Sequence, residues 1–170
     1  VVMSPRAEAR LAETTSNSFA LDLKKWRAIM AAYEGGGHAY HATMPTDALV
    51  GFRDAMLETK AMGFDAAKAA QWDLGRQVRA LLAARGVASV AAEGFTAPGV
   101  VVSFTEDPEI QTGAKFRTAG YQIAAGVPLQ VGEGADYRSF RLGLFGLDKL
   151  KDVPATVARL TAALEAAMPA

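Results

Sequence analysis

An arginine set in an apolar, strand-like run is the residue of this sequence that most needs a chemical partner. Arg141 stands between Phe140 and Leu142, and burying an unpaired guanidinium there would be costly. Its planar fork can make two parallel, charge-assisted hydrogen bonds to a carboxylate. From periodicity alone, the favoured interpretation is structural: an arginine on an edge strand, paired with an acid such as Asp136.

A loop over 35–45 carries the other concentration of polar side chains, namely His38, Tyr40, His41 and Thr43. The two histidines are three residues apart, but no third metal ligand lies within sequence reach, so we expect no metal site there. The tyrosine and threonine hydroxyls could simply tie the loop together.

The remaining polar groups favour structural interpretations. Glu106, Asp107 and Glu109 cluster at a predicted helix start, where acids interact favourably with the helix dipole. No phosphate-binding loop, dinucleotide fingerprint or nucleophile elbow occurs. Cysteine is absent, which excludes disulfides and thiolate metal sites.

Composition narrows the class of protein. The 170 residues are 51% hydrophobic and 21% charged, which is enough to build a core. A formal net charge of zero argues against a nucleic-acid partner. We expect no membrane partner, since no apolar run is long enough to span a bilayer. Without a secretory signal pattern, we expect a cytoplasmic protein.

Hydrophobic periodicity predicts a helical first part and a mixed second part. A short buried strand is expected over 1–4. Helices are expected from residue 5, then over 21–33, 46–62, 65–85 and 107–118, with a last one from about Pro154. Apolar side chains form a stripe along three of these helices: Trp26, Ile29, Met30 and Tyr33 on the second, Leu49, Phe52 and Met56 on the third, where they are expected to be buried, and Val153, Val157, Leu160, Leu164 and Met168 on the last. Strands are expected over 87–91, 99–104, 121–124 and 139–144. The resulting fold class is α+β, an antiparallel sheet with helices packed on one face.

Three segments together resemble class V aminotransferases, which are fold type I enzymes that use pyridoxal 5'-phosphate (PLP). Leu21–Trp26 reads LDLKKW, Ala39–Thr46 reads AYHATMPT, and Phe140–Gly146 reads FRLGLFG. The last two match the family's Tyr-x-x-Thr-x-Pro and Arg-x-Gly-Leu-x-Gly segments, in the family's order. The likeness extends over essentially the whole chain and points to the alanine-glyoxylate and serine-glyoxylate branch.

The resemblance implies roles for three residues. Arg141 matches the arginine that binds the substrate carboxylate, which reverses the preference for a structural role. Tyr40 and Thr43 match residues that reach the cofactor phosphate from the neighbouring subunit, so the resemblance implies a homodimer. Residues 1–62 would be the end of the large PLP-binding domain with its connecting helix, and residues 63–170 the small C-terminal domain.

By the same resemblance, no catalytic residue is expected within this chain. The lysine that forms the Schiff base with PLP would lie upstream of Val1; Lys24 and Lys25 fall in a later helix and are not its counterparts. This chain alone is therefore expected to be inactive. The intact enzyme would transfer an amino group between alanine or serine and a 2-oxo acid such as glyoxylate or pyruvate.

The alternative is a stand-alone, non-catalytic α+β module that binds a small ligand or a partner. The coding sequence upstream distinguishes the two interpretations. A continuous reading frame with a lysine shortly before Val1 favours the enzyme, whereas a start codon at that position favours the module.

Overall fold

A computed structural model describes residues 1–169, which fall into two compact units, Val1–Arg53 and Asp54–Ala170. The predicted division at residue 62 follows the family's domain boundary and stays a prediction. Along the chain the longer helices are α1 (Pro5–Glu13), α2 (Leu23–Glu34), α3 (Thr46–Met62) and α4 (Phe64–Ala83). Over residues 1–169, no helix is both long and apolar enough to cross a membrane.

The first unit consists of α1, α2 and the beginning of α3. Ser4 caps α1 by accepting a hydrogen bond from the backbone N–H of Ala7, and Asp22 caps α2 through the N–H of Lys25. The strand predicted over 1–4 is wrong, because Val1 and Val2 are fully exposed and within the described residues no strand pairs with them. Without a neighbouring strand, the backbone N–H and C=O groups of an extended segment have no strand partners for hydrogen bonds.

Little apolar surface is buried in this unit. Among its described residues Ile29 is the one buried apolar side chain. The stripe predicted to be buried on α3 is wrong in this chain, because Leu49, Phe52 and Met56 are largely exposed. On the apolar stripe of α2, Met30 and Tyr33 are exposed as well. The amphipathic pattern is present, but its apolar face has no surface to pack on.

The second unit contains a three-stranded antiparallel sheet, with strands β1 (Val100–Phe104), β2 (Ala124–Ala125) and β3 (Ser139–Gly143) in the order β1-β3-β2. The predicted α+β class is confirmed. Instead of the strand predicted over 87–91, a single bridge joins Ser89 to Ser103. The helix predicted over 107–118 is two short ones, α5 (Pro108–Gln111) and α6 (Ala114–Thr118).

Gly113 explains that break. Its φ of 75° lies in the left-handed region, which glycine adopts at little cost and which no helix continues through. A β-carbon there would also press against Ile123. Sequence periodicity is insensitive to one such residue, so the two helices were predicted as one.

The core lies between one face of the sheet and the helices α4, α6, α7 (Leu147–Leu150) and α8 (Val153–Ala167). Its fully buried apolar members are Leu74, Val78, Leu82, Val101, Ile110, Phe116, Phe140 and Leu164. The predicted stripe of α8 packs as expected, with Val153 and Leu164 buried and Leu160 half-buried against the core. Helices therefore cover one face of the sheet.

We predict that Asp107 makes this unit sensitive to acid. A side-chain hydrogen bond from Lys115, together with the backbone N–H of Glu109, holds the pKa of Asp107 below its ordinary value. Because the folded pKa is the lower one, the carboxylate stabilises the fold above a pH of about 4, and this contribution is lost as the pH falls through the folded value.

Asp107→Asn is therefore expected to lower stability at neutral pH and to flatten its dependence on pH below about 4. Urea unfolding at a series of pH values measures both, with Glu106→Gln as the matched control. Equal acid sensitivity of the wild type and Asp107→Asn would contradict the prediction.

Candidate functional site

Arg141 lies on the face of the sheet that the helices leave open. Side chains alternate along β3, so the buried Phe140 and Leu142 point into the core and Arg141 points the other way, half-buried. Its Nε donates a hydrogen bond of 2.8 Å to the carbonyl oxygen of Ala125 on β2. This bond fixes the plane of the guanidinium.

The structural interpretation of Arg141 is wrong in both of its parts. β3 is the central strand, not an edge strand. Among residues 1–169 no carboxylate, including that of Asp136, forms an ion pair with Arg141, and neither terminal nitrogen donates to a described protein atom. The guanidinium is oriented by the protein, and its outer edge is left without a protein acceptor.

Two buried hydroxyls lie near the same face and were not singled out from the sequence. Tyr137 packs edge-on against Phe104, with ring centroids 5.7 Å apart. Ser139 lies two residues before Arg141 on β3 and therefore on the same face of the strand. Within the described residues, neither hydroxyl has a hydrogen-bond partner. Buried polar atoms are normally satisfied by protein or by ordered water, so these hydroxyls mark polar positions at the end of β3 where Ser139 lies.

Gly126 packs so closely against Ser139 that no residue with a side chain fits at position 126. The backbone of Gly126 packs directly on Ser139, and a β-carbon at this position would overlap the Ser139 carbonyl. Gly126 also donates its N–H to the carbonyl of Gln111. The close approach seals Ser139 from solvent and explains why its hydroxyl is buried.

The polar loop of the first unit brings two predicted site residues together. The hydroxyls of Tyr40 and Thr43 lie 3.2 Å apart, and the Tyr40 side chain is 79% exposed. Two hydroxyls at this separation can both donate to one phosphate group. The residues present therefore fit a phosphate, held by neutral donors.

His41 anchors this loop. Its Nε2 is 2.9 Å from the carbonyl oxygen of Phe19, and its ring contacts Phe19 and Trp26 with centroid distances of 4.3 and 5.3 Å. In the part of the chain that the structure describes, no cluster of three histidines or acids could hold a metal ion. The His41 imidazole therefore has a structural role: it fixes the loop that carries the Tyr40 and Thr43 hydroxyls.

A cavity of about 270 Å³ opens beside the two hydroxyls within the first unit. Its walls are mostly aromatic and apolar, from Trp26, Ile29, Tyr33, Tyr40 and Met44. Of the three predicted site residues, the structure brings Tyr40 and Thr43 together in the first unit. Arg141 belongs to the second unit, and each site is described within its own unit.

No protein-family model matches this sequence, and no curated protein is significantly similar to it. The functional assignment therefore depends on the three resembling segments and on the geometry around Arg141 and Tyr40.

Proposed function

We propose that this chain is the C-terminal part of a class V, PLP-dependent aminotransferase of the alanine-glyoxylate or serine-glyoxylate type. The observation that carries the proposal is the guanidinium of Arg141, which is held in place through Nε and has no partner on its outer edge among residues 1–169. An enzyme that acts on amino acids needs such a group, because it must grip the α-carboxylate while the amine reacts.

In this proposal Arg141 binds the α-carboxylate through its two terminal nitrogens. The Ala125 carbonyl restrains the fork, so little rotational freedom remains to be lost when substrate binds. Orientation of the substrate follows from the fixed plane of the guanidinium.

PLP, when bound, supplies the electron sink for the reaction at the amino acid's α-carbon. Tyr40 and Thr43 would donate hydrogen bonds to its phosphate from the neighbouring subunit of a homodimer. Both hydroxyls are on an exposed surface, which suits donation to a group bound by another chain. We place the intact enzyme in the cytoplasm.

The exposed apolar faces of the first unit support the assignment of these residues to a larger domain. Met30 and Tyr33 on α2 and Leu49 and Phe52 on α3 are each 43–65% exposed. Amphipathic helices of globular proteins normally bury such faces. In the proposal they pack on the rest of the large PLP-binding domain, to which residues 1–62 belong.

We predict that Tyr40→Phe weakens cofactor retention in the intact enzyme and leaves substrate selectivity unchanged. The change removes one hydrogen bond to a charged acceptor, worth roughly 1.5–3 kcal/mol, which corresponds to about a ten- to hundredfold loss of affinity. Titration of the apoenzyme with PLP, followed by cofactor absorbance, measures the effect.

Tyr33→Phe is the matched control, because Tyr33 is also exposed and lies at the same cavity. Its PLP affinity is expected to equal that of the wild type. Unchanged affinity in Tyr40→Phe, combined with an altered preference among amino acids, would remove Tyr40 from the cofactor site.

A further inference from the structure

A second cavity lies in the other unit, on the helix-covered side of the sheet. It measures about 160 Å³ and is bounded by β3, α6 and residues 156–163 of α8. Since Leu142 and Leu144 line it, and Arg141 points to the opposite face of β3, this cavity is separate from the proposed carboxylate site.

The floor of this cavity is apolar and buried. Phe116, Leu142 and Leu144 are at most 4% exposed, and the half-buried Leu160 completes the wall. An apolar cavity of about 150 Å³ is large enough for a benzene molecule. The space therefore matches a single aromatic ring or a branched alkyl group, and it is too small for a nucleotide or a second cofactor.

Two cations stand at the mouth of the cavity, Arg159 and Lys149. Arg159 donates from Nη2 to Thr156 Oγ1 at 3.0 Å, and Thr156 in turn donates to the carbonyl of Lys149 at 3.0 Å. Within residues 1–169, Arg159 pairs with no carboxylate, and Lys149 pairs with its neighbour Asp148 alone. The guanidinium is thus positioned by the fold and free to bind an anion.

The rim continues into a more polar cavity of about 300 Å³, which shares Tyr121, Gln122 and Ile123 with the first and adds Arg117. Among the described residues, the side chains of Tyr121 and Gln122 form no hydrogen bond with protein. A charged end of a ligand at the rim would meet cations and neutral donors, while its apolar end contacts the leucine side chains.

We propose that this cavity binds a small monocarboxylate whose apolar group is the size of a phenyl or isobutyl group. The apolar group occupies the pocket formed by Phe116, Leu142 and Leu160, and the carboxylate binds Arg159 with Lys149 close by. An apolar floor with a fixed guanidinium at its mouth recognises this chemistry, since each half of the ligand meets its complement. The inference does not depend on the aminotransferase assignment.

The test is titration of the full 170-residue chain with benzoate and with benzamide, its uncharged analogue of the same shape. Methyl shifts of Leu142, Leu144 and Leu160 in ¹³C NMR spectra report occupancy of the cavity. Benzoate is expected to produce saturable shifts at these methyls and to bind at least about tenfold more tightly than benzamide, because one charge-assisted bond distinguishes them.

Arg159→Gln is expected to reduce benzoate binding to the level of benzamide, because it removes the charge while keeping a polar side chain. Arg76→Gln, which alters an exposed arginine paired with Asp73 on α4, is the matched control and keeps the wild-type affinity. Ala163→Leu, which places extra carbons in the cavity, is expected to abolish the shifts for both compounds.

Three results would each overturn the proposal. They are equal affinity for benzoate and benzamide in the wild type, an unchanged benzoate affinity in Arg159→Gln, and the absence of saturable shifts at the three leucines. The comparison of benzoate with benzamide uses the wild-type chain, so it decides the question even if a variant fails to fold.

Discussion

Phe140→Ala is expected to destabilise the second unit by about 3–5 kcal/mol. Phe140 is 0% exposed and lies on the central strand, with its ring 6.2 Å from that of Phe116. Truncation removes the largest apolar side chain of β3 and leaves a cavity between sheet and helices that the tightly packed neighbours cannot fill. Urea unfolding of the chain, followed by far-ultraviolet circular dichroism, gives the difference in unfolding free energy.

Phe95→Ala is the matched control, because Phe95 belongs to the same unit and is 83% exposed. Its loss of stability is expected to stay within about 0.5 kcal/mol. Comparable losses for the two variants would mean that β3 does not form the centre of the core.

Arg141→Lys in the intact enzyme is expected to keep the fold and the bound PLP while reducing kcat/KM for amino acids by about ten- to a hundredfold. Lysine retains the positive charge but loses the planar fork and the bond to the Ala125 carbonyl. Losing one charged hydrogen bond costs roughly 1.5–3 kcal/mol, and about 1.4 kcal/mol corresponds to tenfold in rate. Poorer orientation of the amine adds to the loss.

The measurement is a pair of half-reaction rates, one with an amino acid and one with a simple amine that has no carboxylate. The half-reaction rate with the amine is expected to change little in Arg141→Lys, because the amine has no carboxylate to bind the guanidinium. Arg138→Lys, a half-buried arginine just before β3, is the control and should affect neither rate. If both substrates slow equally, Arg141 is structural; if neither slows, the open face of β3 does not face the substrate.

The parts of the fold that follow from sequence are those in which local pattern and packing agree. In α8, the steps of three and four between Val153, Val157, Leu160 and Leu164 define an apolar stripe, and the helices α4, α6 and α7 provide the surface that buries it. The ends of α2 and α3 were also close to those predicted, because the glycines at 35–37 and Gly63 interrupt helices.

Two of the errors have the same physical cause, which is that burial depends on a partner surface that periodicity does not reveal. Val1 and Val2 have the composition of a strand, but no strand among the described residues pairs with them. Phe52 and Met56 lie on a true amphipathic stripe that nevertheless faces solvent. Gly113 breaks a helix through its backbone angle, which the pattern of side chains does not register.

For the site, sequence identified residues whose chemistry is distinctive and missed those whose role depends on surroundings. Arg141 was singled out because a guanidinium in an apolar strand is unusual. Tyr137 and Ser139 were not, since a tyrosine or serine near a strand is common and only the structure shows their hydroxyls to be buried without a partner in the described chain. The one sequence signal for Ser139 is its position two residues before Arg141, which puts both side chains on the same face of a strand.

The most direct test of the proposed function is a half-reaction with the intact protein loaded with PLP. Addition of alanine or serine alone is expected to abolish the visible absorbance of the bound cofactor and to release one equivalent of the matching 2-oxo acid, and subsequent glyoxylate should restore the absorbance and yield glycine. An intact protein that retains no PLP, or whose cofactor absorbance is unchanged by these amino acids, would contradict the assignment of this chain to an aminotransferase.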